Sequence, residues 1–254
     1  MKDTTQRFTT RVEQYVRFRP GYPREVLELL EAECGLTSDS VIADIGSGTG
    51  ILSELLLKNG NTVFGVEPNG PMRAAGEELL QQYPGFHSID GSAEATSLKS
   101  GSIDLITAGQ AFHWFDGAKA RTEFVRILKP EAFVALIWND RRLDSTPFLR
   151  AYEDLLVNFG TDYNQVKHLT ATGPITKFFA PGNFQLRSFP NSQEFDFEGL
   201  KGRVLSASYT PEPGHPNFES MIARLHEVFE VHKRNGKVAF EYDTEVYYGR
   251  LEAL

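Results

Sequence analysis

The sequence predicts an α/β fold in which helices cover both faces of a mainly parallel sheet. In residues 1–140, short apolar and β-branched runs alternate with segments that have helical periodicity. The runs are apolar at nearly every position, as are parallel strands that are buried on both faces. This alternation stops after residue 140, which indicates that the second half of the chain is organised differently.

Each element of the first half has a local signal. Pro23 stands near the first position of a helix, where its missing N–H costs nothing, and Gly35 ends that helix. Short β-branched or apolar runs predict strands at 41–45, 62–67, 103–108 and 133–138. Apolar stripes of helical period predict further helices at 51–57, 72–80 and 118–128.

The second half contains fewer and less regular elements. A helix begins at Thr146-Pro147, and a strand is predicted at 184–189 within a stretch rich in Phe and Pro. A further helix is predicted at 221–232 and a last strand at 238–248. Hydrophobic and acidic residues alternate along this last strand, as they do in an edge or antiparallel strand that is half exposed to water.

The order of these elements predicts that the chain is divided into three domains. Residues 1–140 form the sheet-containing core with an N-terminal cap segment, and residues 141–200 form a helical and aromatic insertion that we expect to be a substrate lid. Residues 201–254 complete the core sheet.

The composition excludes several classes of protein. The chain has 254 residues and a single cysteine, Cys34, so an intramolecular disulfide or a multi-cysteine zinc site is excluded. No stretch approaches the ~20 apolar residues of a membrane span, and the first residues lack the apolar core of a signal peptide. We therefore expect a cytoplasmic protein with no membrane partner. The net charge of −8 argues against a nucleic-acid partner, because such binding depends on Lys and Arg contacts with phosphates.

A glycine-rich loop follows the first predicted strand, with the sequence Asp44-Ile45-Gly46-Ser47-Gly48-Thr49-Gly50. Taken alone, it is either a tight structural turn or a turn that a ligand approaches closely. A dinucleotide-binding fingerprint requires a small residue where this chain has Ile51, and a phosphate-binding loop requires Gly-Lys-Ser/Thr. Glu67 ends the next strand, where a carboxylate can accept both hydrogens of a ribose diol. The loop and Glu67 together indicate a nucleoside ligand.

With these features the sequence resembles the class I S-adenosylmethionine (SAM)-dependent methyltransferases. It is most similar to small-molecule members of the methyltransferase type 11/25 and trans-aconitate methyltransferase-like type, over roughly residues 10–140. Besides the glycine loop, four segments carry the resemblance: Glu67-Pro68-Asn69 with Met72, Gly91-Ser92-Ala93-Glu94, Gly109-Gln110-Ala111-Phe112-His113-Trp114 and Leu128-Lys129-Pro130.

The resemblance implies a three-layer, Rossmann-like fold. Its seven-stranded sheet would have the order 3-2-1-4-5-7-6 with strand 7 antiparallel, and the alternating run at 238–248 fits that strand. It also implies SAM as cofactor, S-adenosylhomocysteine (SAH) as product and no metal. The cofactor-binding residues it implies are Tyr15, Arg19, Asp44, Gly46, Ser47, Gly48, Gly50, Glu67, Pro68, Met72, Ser92, Ala93, Glu94, Gly109 and Gln110.

Several of these residues have a second interpretation. Arg19 either pairs with the carboxylate of SAM or is a solvated surface arginine, and Asp44 either lines the pocket or satisfies backbone N–H groups of the glycine loop. Ser92 stands where many relatives carry an Asp that binds the adenine amino group, so that contact would pass to Glu94 or to water.

No catalytic residue is assigned from the sequence. His113 and Trp114 are predicted to line the substrate pocket, and His113 either packs as its wall or acts as an acid or base. Tyr15 is the other candidate for a catalytic role. His226 and His232 do not share an i, i+4 face, so no metal site is predicted there.

We expect the protein to move a methyl group from the sulfonium of SAM to a small-molecule acceptor by in-line displacement, which depends mainly on positioning. Two alternatives stay open: a SAM-binding protein without transferase activity, and a dinucleotide-dependent oxidoreductase, which Ile51 disfavours. Methylation of nucleic acid is disfavoured because no Asn/Asp-Pro-Pro-Tyr/Phe motif occurs. We expect a monomer or weak dimer, and the sequence carries no signal for the identity of the acceptor.

Overall fold

The computed structural model describes residues 12–163 and 172–252. Parts of the predicted core (1–11), insertion (164–171) and C-terminal part (253–254) lie outside the described residues. The strands are β1 (Val41–Ile45), β2 (Thr62–Val66), β3 (Phe86–Ile89), β4 (Ile103–Gly109), β5 (Leu128–Arg141), β6 (Phe184–Phe195) and β7 (Val238–Arg250). The helices are α1 (Val12–Phe18), α2 (Arg24–Cys34), α3 (Ile51–Lys58), α4 (Gly70–Leu80), α5 (Gly117–Ile127), α6 (Pro147–Phe159), α7 (Thr172–Phe179), α8 (Phe197–Leu205) and α9 (Phe218–His232).

The strands form one seven-stranded sheet in the order β3-β2-β1-β4-β5-β7-β6. Strands β1 to β5 run parallel to one another, whereas β7 is antiparallel to both β5 and β6. The predicted α/β class, sheet order and antiparallel seventh strand are confirmed. The edge alternative for the last strand is wrong, because β7 lies inside the sheet and β6 forms the edge.

Strands β5 and β6 are both longer than the sequence predicts. β6 pairs with β7 from Phe184 opposite Gly249 to Phe195 opposite Val238, which extends the strand well past residue 189. Backbone pairing with a long neighbour therefore outweighs the low strand propensity of segments such as Pro190-Asn191. Pro190 is tolerated because an edge strand leaves one side of its backbone unpaired.

The segment 141–200 supplies an edge strand in addition to helices, since β6 lies within it. Helix α6 packs on α9 and β7 through an aromatic cluster in which the rings of Tyr152 and Phe240 are 4.8 Å apart. The role of this segment as a substrate lid stays a prediction. Within the described ranges, none of the helices combines the length and hydrophobicity that crossing a membrane requires.

Two buried clusters cover the faces of the sheet and fix the ends of its strands. One contains Ile45, Ile106 and Phe124, and the other contains Leu30, Ile42 and others from α2, α3 and β1. Because β1, β2 and β4 are adjacent and parallel, the loops that follow them meet at one edge of the sheet.

Candidate functional site

Two adjoining cavities lie at the carboxyl ends of β1, β2 and β4. The first, which we call the arginine cavity, has a volume of about 550 Å³ and contains Arg19 and Arg203 in its wall. The second, the glutamate cavity, has a volume of about 790 Å³ and contains Glu67. The residues that line both cavities are Tyr15, Gly46, Gly48, Gly109 and Gln110.

The cavities bring together most of the residues that the sequence predicts for cofactor binding. Asp44 and Ser47 line the arginine cavity. The predicted cofactor residues that line only the glutamate cavity are Glu67, Pro68, Met72, Ser92, Ala93 and Glu94. Trp114, which is predicted for the substrate pocket, lines this cavity too. Gly50 and His113 line neither cavity.

The glycine loop between β1 and α3 depends on a left-handed backbone. Gly46, Gly48 and Gly50 have φ angles of 70°, 58° and 85°, which side chains with a Cβ adopt at a cost. A Cβ at Gly46 would be 2.5 Å from Cβ of Ala111, and one at Gly50 would be 2.5 Å from Cδ1 of Leu80. Gly46 therefore lets the loop approach the end of β4, whereas Gly50 lets α3 pack on α4.

Glu67 is held in a fixed orientation directly after β2. Its side chain is 8% exposed, and the backbone N–H groups of Gly48 and Asn69 donate hydrogen bonds to its two oxygens at 2.9 and 2.8 Å. Burial raises the pKa of the carboxyl group, and these two hydrogen bonds oppose that shift. Each carboxylate oxygen can accept a further hydrogen bond, so Glu67 can bind two neighbouring hydroxyl groups in the cavity.

Asp44 is buried in β1 with 1% exposure. Its oxygens accept hydrogen bonds from the Ser53 hydroxyl at 2.7 Å and the Thr107 hydroxyl at 3.1 Å. Desolvation raises the pKa of Asp44 to about 6. These partners lie on α3 and β4, so Asp44, in the wall of the arginine cavity, connects neighbouring elements. Among the described residues, its recorded side-chain partners are these two hydroxyl groups and not backbone N–H groups of the glycine loop.

The N-terminal segment covers the arginine cavity. Arg19 directly follows α1, and its Nη2 donates to the carbonyl oxygen of Ser206 at 3.0 Å. Its guanidinium carbon lies 4.8 Å from the centre of the Tyr15 ring. Nε of Arg19 is buried and has no hydrogen-bond partner among the described residues. Because Arg19 lines the arginine cavity, its guanidinium group is suited to bind an acidic group of a ligand there.

The end of β4 contributes Gly109 and Gln110. The hydroxyl group of Tyr22 lies against Gly109, where a Cβ would collide with it. Nε2 of Gln110 donates to the carbonyl oxygen of Asn139 at 3.0 Å. The side chain of Asn139 in turn accepts from Thr244 at 2.6 Å and donates to the carbonyl oxygen of Gly21 at 3.2 Å. Asn139 therefore connects the N-terminal segment with the sheet at the cavity wall.

His113 and Trp114 are neighbours in one turn of 3-10 helix, but they face different cavities. Trp114 lines the glutamate cavity, whereas His113 lines a separate apolar cavity with Trp138 and Phe178. The two rings are 4.5 Å apart. The structure thus brings Trp114, and not His113, together with the predicted cofactor residues.

Several residues of the arginine cavity were not predicted as site residues, and three of them carry a large polar side chain: Tyr22, Asn139 and Arg203. Tyr22 lies in the segment that contains Tyr15 and Arg19, and Asn139 follows the apolar run of β5, so position at a strand end is a signal for it. Arg203 lies in α8 and has no local signal, because its place in the cavity depends on how α8 packs.

Residues 43–136 match the family model that is described as a methyltransferase domain. Over these residues the chain is similar to methyltransferase domains. An uncharacterized methyltransferase of Schizosaccharomyces pombe is 33% identical over 150 residues, which cover 59% of this chain and 58% of that protein. An uncharacterized methyltransferase of Mycobacterium tuberculosis is 33% identical over 140 residues, which cover 55% of each chain. The chain thus spans between half and three fifths of the length of these relatives.

Solved structures share the fold of this chain. A candidate type II methyltransferase from Anaeromyxobacter dehalogenans has a TM-score of 0.68 at 20% identity, over 92% of this chain and 98% of that chain. The YcgJ protein from Bacillus subtilis has a TM-score of 0.56 at 18% identity, over 89% of this chain and 98% of that chain. Both comparisons extend the likeness in fold beyond residues 43–136 to most of the chain.

Proposed function

We propose that the protein binds SAM across the two adjoining cavities and transfers its methyl group to a small-molecule acceptor. The observation that carries this proposal is the fixed carboxylate of Glu67, which faces a cavity that continues past the glycine loop to Arg19. A nucleoside with a short acidic tail matches this arrangement, because its sugar diol and its carboxylate would each meet a buried polar group.

The residues present fit SAM at both ends. Glu67 would bind the ribose, while Met72, Ala93 and Trp114 would surround the adenine in the glutamate cavity. At the other end, the guanidinium group of Arg19, in the wall of the arginine cavity, would bind the carboxylate. SAM supplies a methyl group on a sulfonium, which is already an activated leaving group.

The residues of this chain would contribute position and exclusion of water. Tyr15 lines both cavities, so it would lie beside the point where they meet, and its position keeps it as a candidate for a role near the acceptor. Tyr22 and Pro20 close the arginine cavity from the N-terminal segment. This cover favours a small acceptor over a macromolecular one.

The family branch, the cellular location and the oligomeric state are further parts of this proposal. A place in the trans-aconitate methyltransferase-like branch, a cytoplasmic location and a monomeric or weakly dimeric state stay predictions from the sequence. The absence of a resident metal is proposed on the same basis.

Two measurements test the proposed function. A thermal-shift assay with SAM and NADH added separately should show the larger shift with SAM, and a larger shift with NADH would support the dinucleotide alternative. Incubation with isotopically labelled SAM and a metabolite extract should label an acceptor. Binding of SAM without any labelled product would support the alternative of a SAM-binding protein without transferase activity.

A further inference from the structure

The apolar cavity that His113 lines adjoins the glutamate cavity but is a separate space. It lies between α5 and α7, is partly open to solvent and has a volume of about 2110 Å³ including its mouth. Phe115 lines both the apolar and the glutamate cavity. The described wall of the apolar cavity shares no residue with the arginine cavity. This cavity therefore lies outside the region that SAM and its acceptor would occupy.

Aromatic side chains form the inner wall of the apolar cavity. Phe112, Trp138 and Phe178 are buried and pack edge to face, with the Phe112 ring 4.9 Å from that of Phe178 and 6.3 Å from that of Trp138. Apolar atoms make up most of the wall. Small-molecule sites have this character, an apolar surface with a few polar groups that fix the orientation of the ligand.

Arg121 supplies one such polar group. Its side chain is 6% exposed, and Nε and Nη2 donate to the backbone carbonyl oxygens of Phe178 and Glu252 at 3.0 and 2.6 Å. Nη1 forms no hydrogen bond within the described ranges, and it is not among the fully enclosed polar atoms that lack a partner. Because Arg121 lines the apolar cavity, this open Nη1 can donate to a ligand there.

The charges around the apolar cavity are not balanced. Lys177, on α7, is exposed and also lines it. The acidic residue of the described wall is Asp116, which pairs with Lys119 at 3.1 Å. In the described part of the chain, neither Arg121 nor Lys177 forms an ion pair with a carboxylate. A buried charge without a counter-ion is costly, and a ligand that supplies an anion removes that cost.

We propose that the apolar cavity binds a small anionic amphiphile, namely a carboxylate with a medium-length apolar chain. The chain would cover the aromatic wall, and the carboxylate would meet Arg121 and Lys177 where the wall is positively charged. This molecule is a further ligand, distinct from SAM and from the methyl acceptor. The proposal does not depend on the proposed methyl transfer, because none of the residues that carry it serves the cofactor.

The first test measures ligand binding by calorimetry, with and without saturating SAH. The probes are octanoate, decanoate, neutral octanamide and acetate, each below its micelle concentration. We expect octanoate to bind at one site per chain and about tenfold more tightly than octanamide, as a charge-assisted hydrogen bond implies. Decanoate should bind about tenfold more tightly than octanoate because it buries two more methylene groups, and acetate should show no binding. SAH should leave these affinities within about twofold, since the sites are separate.

Substitutions assign the binding to the apolar cavity. Arg121→Met should reduce octanoate affinity to that of octanamide, and Lys177→Met should reduce it about threefold, as expected for an exposed charge. Gly117 also lines the cavity, and nothing lies within 4 Å of a Cβ added there. Gly117→Leu should therefore narrow the cavity and weaken octanoate binding about tenfold, as loss of two methylene contacts would. Gly70→Leu is the matched control, because Gly70 begins α4 as Gly117 begins α5, is equally free of neighbours and lies outside this wall.

The two tryptophans of the chain report where the ligand lies. Trp138 lines the apolar cavity, whereas Trp114 lines the glutamate cavity. Binding of 8-bromooctanoate, whose bromine quenches tryptophan fluorescence at short range, is followed in Trp114→Phe and in Trp138→Phe. We expect stronger quenching in Trp114→Phe, which retains Trp138.

Three outcomes would each overturn the proposal: equal affinities for octanoate and octanamide, displacement of octanoate by SAH, and stronger quenching in Trp138→Phe than in Trp114→Phe. An equal effect of Gly117→Leu and Gly70→Leu would also place the ligand elsewhere. If Arg121→Met does not fold, Lys177→Met and the pair of glycine variants decide.

Discussion

The backbone N–H of Gly48 donates a hydrogen bond to Oε2 of Glu67 at 2.9 Å. This contact joins the loop after β1 to the residue after β2, and it orients the carboxylate toward the glutamate cavity. A glycine at position 48, with its φ of 58°, presents that N–H without a side chain in the way. The glycine loop therefore orients an acidic side chain in addition to leaving room for a ligand.

Replacing Glu67 should weaken binding of SAH. The side chain of Glu67→Gln has one acceptor oxygen, whereas the carboxylate has two. The backbone N–H of either Gly48 or Asn69 would then face the amide NH₂ group and lose its hydrogen bond. We expect a loss of about 1.5–3 kcal/mol, which corresponds to roughly 10- to 100-fold in the dissociation constant measured by calorimetry. Glu77→Gln is the control, since Glu77 is exposed and binds the Ser88 hydroxyl group outside the cavities. Equal SAH affinities of the two variants would show that Glu67 does not contact the cofactor.

Asp44 should make the stability of the protein depend on pH. Burial raises its pKa to about 6, above the value near 4 that an unfolded chain has, so the folded state binds this proton more tightly. The stabilisation that Asp44 gives the folded state by this tighter proton binding is fully present below about pH 4 and is lost as pH rises through about 6. The free energy of unfolding of the wild type should fall relative to Asp44→Asn by about 3 kcal/mol across this window.

Urea unfolding between pH 4 and pH 8 measures this change in the free energy of unfolding. The difference between wild type and Asp44→Asn isolates Asp44, because Glu67 also has a raised pKa and contributes to both curves with the same sign. Curves that stay parallel over the whole range would mean that Asp44 ionises normally in the folded protein.

Features with local causes were predictable from the sequence. The α/β class and the cavity position follow from alternating strands and helices, from the glycines after β1 and from the carboxylate after β2, whereas the strand order follows from the resemblance to methyltransferases. These signals lie within a few residues of the feature they predict. The resemblance to methyltransferases adds Tyr15 and Arg19, which do line the arginine cavity.

Features that depend on long-range packing were not predictable. Arg203 reaches the cavity because Gly202 contacts Phe18 and because Tyr242 binds the guanidinium group, and no local pattern encodes either contact. The length of β6 is set by its register with β7. Likewise, the backbone turn that directs His113 and Trp114 to different cavities follows from the 3-10 conformation of three residues.

Alanine at position 46 should affect both stability and cofactor binding. Gly46 and Gly35 both have a φ of 70°, so an added Cβ causes similar backbone strain at either position, about 1–2 kcal/mol. At Gly35 nothing lies within 4 Å of that Cβ, whereas at Gly46 it would be 2.5 Å from Cβ of Ala111. Gly46→Ala should therefore lower the free energy of unfolding more than Gly35→Ala does.

Gly46→Ala should also reduce SAH affinity, because the loop lines both cavities and must shift to remove the clash. Gly35→Ala, at the C-terminal end of α2, should leave that affinity unchanged. Denaturant unfolding and calorimetry on the two variants measure the two effects separately. Equal losses of stability would indicate that backbone strain alone explains both.

Substitutions at His113 and Trp114 should have different effects although the residues are adjacent. Trp114 lines the glutamate cavity, so Trp114→Ala removes a large apolar wall and should lower SAH affinity at least about tenfold. His113 lines the neighbouring apolar cavity, so His113→Phe, which keeps a ring beside Trp114, should leave SAH affinity within about twofold. Calorimetry measures both, and the pH profile of methyl transfer is recorded for His113→Phe. An unchanged profile would support a packing role, whereas loss of transfer at intact SAH affinity would favour the acid or base role that the sequence leaves open.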